Sequence, residues 1–210
     1  MTIAGKFITI EGGEGTGKST LIAGLKTELS AHGMKVLTTR EPGGTLLAEE
    51  VRELALKNRV DGQFSPLAMA LLMHTARDDL LERQIRPALR AGYWVICDRF
   101  ADSTRVYQGI DGVSETMLDA LEKGVVADTI PDLTLILDGA PEDLLKRRAS
   151  RGVDDVFEAR DGDFHQEVRQ RFLTIARDNP QRCVVIDALS EASDVLDAGL
   201  SMIKRRVGLP

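Results

Sequence analysis

The sequence predicts an α/β fold, a parallel sheet with helices packed against both faces. Short apolar runs alternate along the chain with longer stretches of helical spacing, as strand–crossover–strand units do. The first run, Phe7-Ile8-Thr9-Ile10, leads through a glycine-rich turn into a helix. Several later runs close on a charged residue, at the rim where open α/β sheets bind their ligands. The 210 residues suit one domain covering 1–210, with a full core and room for a mobile flap at about 146–162.

Taken in order, Phe7 to Ile10 reads as a buried strand. A helix follows from about Lys18 to Ala31, with Leu21, Leu25 and Leu29 on one face and Gly33 as its C-cap. Val36 to Thr39 is a second strand. It runs into Arg40-Glu41-Pro42-Gly43-Gly44-Thr45, a loop dense in breakers, and Thr45 caps a helix carrying Leu46, Val51 and Leu54. Asn58 to Gln63 reads as a polar connection. Ser65-Pro66 opens a long helix to about Arg90, which Pro87 should bend or restart.

Trp94 to Asp98 is a continuous apolar run closing on an acid, as a strand buried on both faces would be. A polar loop-helix occupies Arg99 to Val113, and a helix runs from Ser114 to about Gly124. Leu133 to Asp138 is the fourth strand. Pro141 starts a helix that turns strongly basic, and Gly152 to Gly162 is charged and turn-prone. An amphipathic helix ends near Asp178, Cys183 to Asp187 is the last strand, Ser190 begins the closing helix, and Gly208 to Pro210 should fray.

The charge is 27 Lys+Arg against 33 Asp+Glu, a net -6, so the basic footprint of a nucleic-acid binder is missing. No run approaches the ~20 apolar residues of a membrane span, and no charged-then-apolar leader precedes the first strand. A soluble cytoplasmic protein is expected. Cys97 and Cys183 sit in apolar runs and read as buried small hydrophobes rather than a disulfide or metal pair. His32, His74 and His165 have neither a Cys nor a second His at metal spacing, and read as structural or solvated.

Gly12, four residues, then Gly17-Lys18-Ser19 match the phosphate-binding P-loop in its required strand–loop–helix context. Glycines at 12, 13, 15 and 17 let backbone N–H groups turn inward as an anion nest, with Glu14 and Thr16 between them. The helix start at Lys18, Ser19 and Thr20 adds unpaired donors and the positive end of the dipole. Lys18 would reach the β- and γ-phosphates, and the Ser19 hydroxyl would ligate Mg²⁺. Asp98 is placed like a second P-loop acid, orienting Mg²⁺ or accepting from Ser19. Arg99 offers a planar fork to a second phosphate. Lys146, Arg147, Arg148, Arg151 and Arg160 flank glycines and acids, which fits a flap that closes over a transferring phosphoryl group.

The sequence resembles the thymidylate kinase family over essentially its whole length. The resemblance rests on FITIEGGEGTGKST, on TREPGGT at Thr39 to Thr45, on DRFADSTRVYQG at Asp98 to Gly109, on PDLTLILD at Pro131 to Asp138 and on KRRASRG. It implies a P-loop NTPase fold with a five-stranded parallel sheet, usually a homodimer. It implies transfer of the ATP γ-phosphoryl to thymidine monophosphate with Mg²⁺, for dTTP supply to DNA synthesis. Glu11 matches the acid beside the P-loop. Glu41, Pro42 and Arg52 match positions lining the monophosphate, with Arg52 on its phosphate. Arg77 matches the arginine that reads the thymine carbonyl, and Arg99 the phosphate clamp. Ser103, Thr104 and Gln108 match nucleoside contacts, Tyr107 the residue below the deoxyribose, and Arg147 and Arg151 the basic flap.

Glu14-Gly15-Thr16 carries no arginine, which resembles the bacterial type whose transition-state arginine comes from the flap. Two departures stand out. Met73 occupies the position where many members stack a phenylalanine on thymine. Asp155-Val156-Phe157-Glu158 lacks the arginine that often follows the flap aspartate. A guanylate or cytidylate kinase would leave TREPGG and Arg77 unexplained, and a P-loop ATPase switch would need a water-positioning loop that the sequence does not display.

Overall fold

A computed structural model of the chain describes residues 5–61, 64–149 and 162–209, and within these leaves aside the side chains of 58–61 and 147–149. Five strands, β1 (Lys6–Gly12), β2 (Val36–Arg40), β3 (Trp94–Asp98), β4 (Leu133–Asp138) and β5 (Cys183–Asp187), lie in the order β2-β3-β1-β4-β5. Every neighbouring pair is parallel, so the chain returns to the same edge of the sheet before each strand. The crossovers carry α1 (Lys18–Ala31), α2 (Leu46–Asp61), α3 (Pro66–Leu80), α4 (Arg86–Arg90), α5 (Ala101–Ile110), α6 (Glu115–Val125), α7 (Pro141–Ala149) and α8 (Gly162–Asp178), and α9 (Ala192–Arg206) follows β5.

Successive side chains of a strand point to opposite faces, so the sheet needs cover on both. Ile8, Ile10, Ile96 and Leu135 pack on one face against Leu21, Leu25 and Leu29 of α1 and Val195 and Ile203 of α9. On the other face Phe7, Val95 and Cys97 meet Leu80, Leu81, Ile85 and Phe100. Ile136 and Cys183 meet Val106, Val168 and Phe172 of α5 and α8. Phe7 and Phe100 stack edge to face at 5.0 Å, which fixes the chain as it leaves β3. Both cysteines are buried free thiols, as expected.

Three boundaries differ from expectation. Helix α2 runs on to Asp61 where a polar connection from Asn58 was expected; polar residues alone do not stop a helix, and the first breaker is Gly62. The long helix changes before Pro87 rather than at it. Leu81–Ile85 form a π-helical turn, and α4 begins at Arg86. The wider turn accommodates a ring that would clash with the preceding turn and lacks an N–H. The closing helix begins at Ala192 with Glu191 at its N-cap, not at Ser190. Asp187 accepts from the Leu189 N–H at 2.9 Å and the Ser190 hydroxyl at 3.3 Å, so this strand-end acid is used in a turn.

Ile10 pairs with Asp98 and Gly12 with Leu137, so the carboxyl ends of β1, β3 and β4 form one rim. The glycine loop, Asp98-Arg99 and Asp138 therefore meet where the strand order reverses. Among the described residues no helix is long and apolar enough to cross a membrane.

Candidate active site

The glycine loop is shaped by close packing at its start and by dihedrals at its end. Gly12 has φ +132°, and a Cβ there would lie 2.4 Å from the Leu137 carbonyl oxygen, so β4 admits no side chain. Gly17 takes φ +88° and turns the chain into α1. Thr16 Oγ1 donates to the Gly13 carbonyl at 3.0 Å, bracing the loop from inside. Lys18 Nζ donates to the carbonyls of Gly12 and Gly13 at 3.1 and 2.8 Å. Burial, and then the Arg99 guanidinium, lower Lys18 to about 8. Phosphate oxygens entering this loop compete with the two carbonyls for the ammonium. Ser19 and Thr20 are exposed on the first turn of α1.

Glu11, immediately before Gly12, is fully buried. It accepts from the Phe100 N–H at 2.7 Å, and from Ser103 through Oγ at 2.7 Å and N–H at 3.3 Å. Burial, and then the charge of Asp102, raise its carboxyl to about 8. Arg99 takes φ +66°, a backbone region that β-carbon-bearing residues rarely enter. Its amide donates to the Ile10 carbonyl at 2.9 Å, which holds the strained turn. The guanidinium reaches the Gly12 carbonyl at 3.1 Å, Ser103 Oγ at 3.2 Å and Glu14 Oε1 at 2.9 Å, and lies over the Tyr107 ring. A fixed cation thus spans from β3 to the glycine loop.

Asp98 Oδ1 is buried with no hydrogen-bond partner, and the Ser19 hydroxyl makes no bond to it, contrary to one sequence expectation. A Mg²⁺ ion fits this donor set. An unpartnered carboxylate oxygen and an exposed hydroxyl are hard oxygen ligands, and this cation is usually held by one or two side chains together with substrate phosphates. Among the described residues no group of three His, Cys, Asp or Glu forms an all-protein cage.

A second group lies between α3, α5 and the loop after β2. Arg77 is 1% exposed at the end of α3. Its Nε and Nη2 converge on Glu41 Oε2 at 2.9 and 2.6 Å, Nη2 also donates to Thr104 Oγ1 at 3.0 Å, and Nη1 to His74 Nδ1 at 3.2 Å. One Nη1 hydrogen is left over from this inventory. Burial raises Glu41 despite the pull of Arg77. Burial, and then Arg77, lower His74 to about 3, so its ring is neutral and accepts. Arg52 Nη1 donates to the Pro42 carbonyl at 3.2 Å. Met73, one helical turn before Arg77, is half-buried against Ala48, Val51 and Ala76. Gln108 is buried on α5.

Most residues singled out from the sequence thus fall into two adjoining groups. Glu11, the 12–17 loop, Lys18, Ser19, Asp98, Arg99 and Ser103 form one. Glu41, Pro42, Arg52, Met73, Arg77 and Thr104 form the other, and Tyr107 and Gln108 continue along α5. Thr20 is exposed on the first turn of α1 without joining either. The Arg147 side chain and the whole of Arg151 lie outside the described residues, as do the side chain of Arg148 and residue Arg160.

Sequence reasoning missed three features. His74 is structural, as one sequence reading had it, but its place as a buried acceptor for Arg77 was not foreseen. Asp138 is held by Arg169 of α8 at 2.8 and 2.9 Å. Asp102 is held by Arg182 at 2.6 and 2.8 Å. An acid at Asp102 beside the apolar spacing of α5 was the one available signal; nothing local connects it to Arg182.

The pattern of the thymidylate kinase family matches residues 10–198 of this chain. A thymidylate kinase of Caulobacter vibrioides is 48% identical over 98% of this chain and 99% of its own length. One of Bradyrhizobium diazoefficiens is 46% identical over 97% of this chain and 90% of its own. The crystal structure of thymidylate kinase from Ehrlichia chaffeensis superposes with a TM-score of 0.77 at 34% identity, covering 96% of this chain and 99% of that one.

Proposed function

The chain belongs to the thymidylate kinase family, and on that footing we propose that it transfers the γ-phosphoryl group of ATP to thymidine monophosphate, giving thymidine diphosphate for dTTP supply. The observation that carries this reading is the first turn of α5 with the two residues before it. Arg99 and Ser103 bind the glycine-loop group, and Thr104 binds the Arg77 group, so donor and acceptor sites share one rigid turn.

The chemistry asks for positioning and charge neutralisation rather than covalent participation. The loop amides and Lys18 hold the triphosphate. Arg52 and Arg99 hold the acceptor phosphate in line. One acceptor oxygen forms a bond to the γ-phosphorus as the bond to the ADP oxygen breaks. Ser19 and Asp98 are the residues that would hold Mg²⁺, which supplies charge neutralisation at the phosphate oxygens when bound. Arg147 or Arg151 would supply the further cation as the basic flap of the single domain closes. Arg77 has one donor to give a pyrimidine carbonyl, with Met73 and Pro42 beside it. A thioether packs on a pyrimidine face more loosely than a ring does.

A homodimer is supported by the apolar residues that α2, α3 and α6 leave exposed, among them Leu46 at 82%, Leu54 at 43%, Leu71 at 47% and Met117 at 40%. A cytoplasmic location is supported by the kinase reaction and its nucleotide substrates.

The test is kcat/KM across a panel of nucleoside monophosphates. Thymidine monophosphate should be the best acceptor. Deoxyuridine monophosphate should lose about 1–3 kcal/mol for the missing methyl, and ribonucleotides about tenfold or more. Met73→Phe should tighten thymidine monophosphate binding. A preference for guanosine or cytidine monophosphate overturns the acceptor while leaving a P-loop kinase.

A further inference from the structure

We propose that Arg182 is a positioning residue for the acceptor site, fixing the first turn of α5 through a buried ion pair with Asp102. This rests on the reading above that Arg99 holds the acceptor phosphate, together with the nucleoside contacts that the family resemblance implies for Ser103, Thr104 and Gln108.

Arg182 lies in the loop before β5. Its Nη1 and Nη2 grip Asp102 Oδ2 and Oδ1 at 2.6 and 2.8 Å, the planar two-point geometry that arginine favours with carboxylates. Nη1 also donates to Thr134 Oγ1 at 3.0 Å, and Thr134 pairs with Thr9 Oγ1 at 2.8 Å inside the sheet. The Arg182 carbonyl accepts from the Thr134 N–H at 2.7 Å. Arg182 is therefore tied to β4 directly and to β1 through Thr134, and it holds α5 from that fixed base.

The clamp matters because of what shares the turn. Asp102 has a side chain only 4% exposed. The next residue, Ser103, donates to Glu11 twice and accepts from Arg99. Two carboxyl groups, Glu11 and Asp102, are thus buried against the same short stretch of chain, and the charge of Asp102 helps to hold Glu11 in its protonated form. Arg182 offsets the charge of Asp102. Without Arg182, Asp102 is a buried anion beside Glu11, and the first turn of α5 relieves it by moving. That turn carries Ser103 and Thr104, so the loss falls mainly on the acceptor; Arg99 lies before the turn, with its amide held by the Ile10 carbonyl of β1. The glycine loop has its own bracing through Thr16 and Lys18.

Steady-state kinetics of Arg182→Gln, Arg182→Lys, the double variant Asp102→Asn/Arg182→Gln, and Gln108→Ala test this, with folding checked by circular dichroism. Arg182→Gln should raise KM for thymidine monophosphate about tenfold while KM for ATP changes less than about twofold. The double variant, which leaves no unpaired carboxylate, should recover most of that loss. Arg182→Lys keeps the charge without the fork and should fall between. Equal KM effects on both substrates, or a double variant as impaired as the single, reduce the pair to general support and overturn the proposal. Where Arg182→Gln does not fold, the lysine and double variants decide by the same ratio of KM values. If Gln108→Ala leaves KM for the monophosphate untouched, the acceptor placement fails and this role with it. If Gln108→Ala raises that KM and the Arg182 variants do not, only the role of Arg182 fails.

Discussion

Arg77 Nη2 and Nε converge on Glu41 Oε2 at 2.6 and 2.9 Å, Nε also reaches Oε1 at 3.2 Å, and the two side chains are 2% and 6% exposed. This pair joins the end of α3 to the loop after β2 and sets the orientation of Arg77. Removing one partner strands a buried charge. Glu41→Ala should therefore cost about 3–5 kcal/mol in urea unfolding, and Glu41→Ala/Arg77→Met should cost clearly less than the two single changes added together. Strict additivity would mean that the pair carries no coupling.

Lys18→Ala should keep less than about a tenth of parental turnover at saturating ATP, with the fold intact by circular dichroism. Lys18 sits near 8 because it is buried, with Arg99 adding to the effect. Its folded value lies below the ordinary one, so the cation is present at lower pH and lost as pH rises past about 8. The alkaline limb of kcat/KM for ATP should fall there. Bound phosphates favour the charged form, so the limb of kcat should lie at higher pH. Superposed limbs in the two profiles would argue against this.

Glu11 is shifted the other way, from 4.5 to about 8. A raised folded-state value favours the protonated carboxyl in the native state. Its contribution to stability is complete below 4.5 and is lost as pH rises towards 8. Glu11→Gln, which is always neutral, should gain stability relative to the parent by up to about 1.4 kcal/mol per pH unit between pH 5 and 8. Chemical denaturation at several pH values measures that slope; a flat difference would show that Glu11 is ionised throughout.

Asp98→Asn should raise the Mg²⁺ concentration needed for half-maximal activity by about 10- to 100-fold and spare the fold, because Asp98 Oδ1 has no protein partner to lose. An unchanged Mg²⁺ requirement would remove Asp98 from the metal site.

Arg147→Ala and Arg151→Ala together should lower kcat by about 10³-fold or more while changing KM for thymidine monophosphate far less, as expected of a cation that acts on the transferring group. A double variant that turns over like the parent would make the basic stretch a solvated face.

Much of the fold was legible because its signals are local. Leu133–Asp138 and Cys183–Asp187 are strands bounded as their apolar runs suggested, and α1 spans the expected Lys18–Ala31. Boundaries slipped where the local signal was polarity alone, as at Asn58, or where a proline acts on the turn before it, as at Pro87. The glycine loop was legible for the same reason as the strands. Its residue types, spacing and flanking elements lie within one short stretch, and the backbone geometry at Gly12 and Gly17 follows from them.

The sequence by itself determined which residue types stand at each strand end and which stretch carries the phosphate-binding pattern. Only the tertiary structure decided which of those residues meet. Glu41 and Arg77 are 36 positions apart and Asp102 and Arg182 are 80 apart. Their pairing depends on the order β2-β3-β1-β4-β5 and on how α3 and α5 are rotated against the sheet. Hydrophobic periodicity tells a helix which face to bury, but it assigns no partner to a charge on that face. A buried ion pair is settled by whichever opposite charge the packed elements bring within hydrogen-bond reach, since an unpaired one is too costly to keep. That is why the His74–Arg77 contact was not foreseen, Arg182 went unnoticed, and the left-handed backbone of Arg99 was invisible until β3, the glycine loop and α5 were placed together.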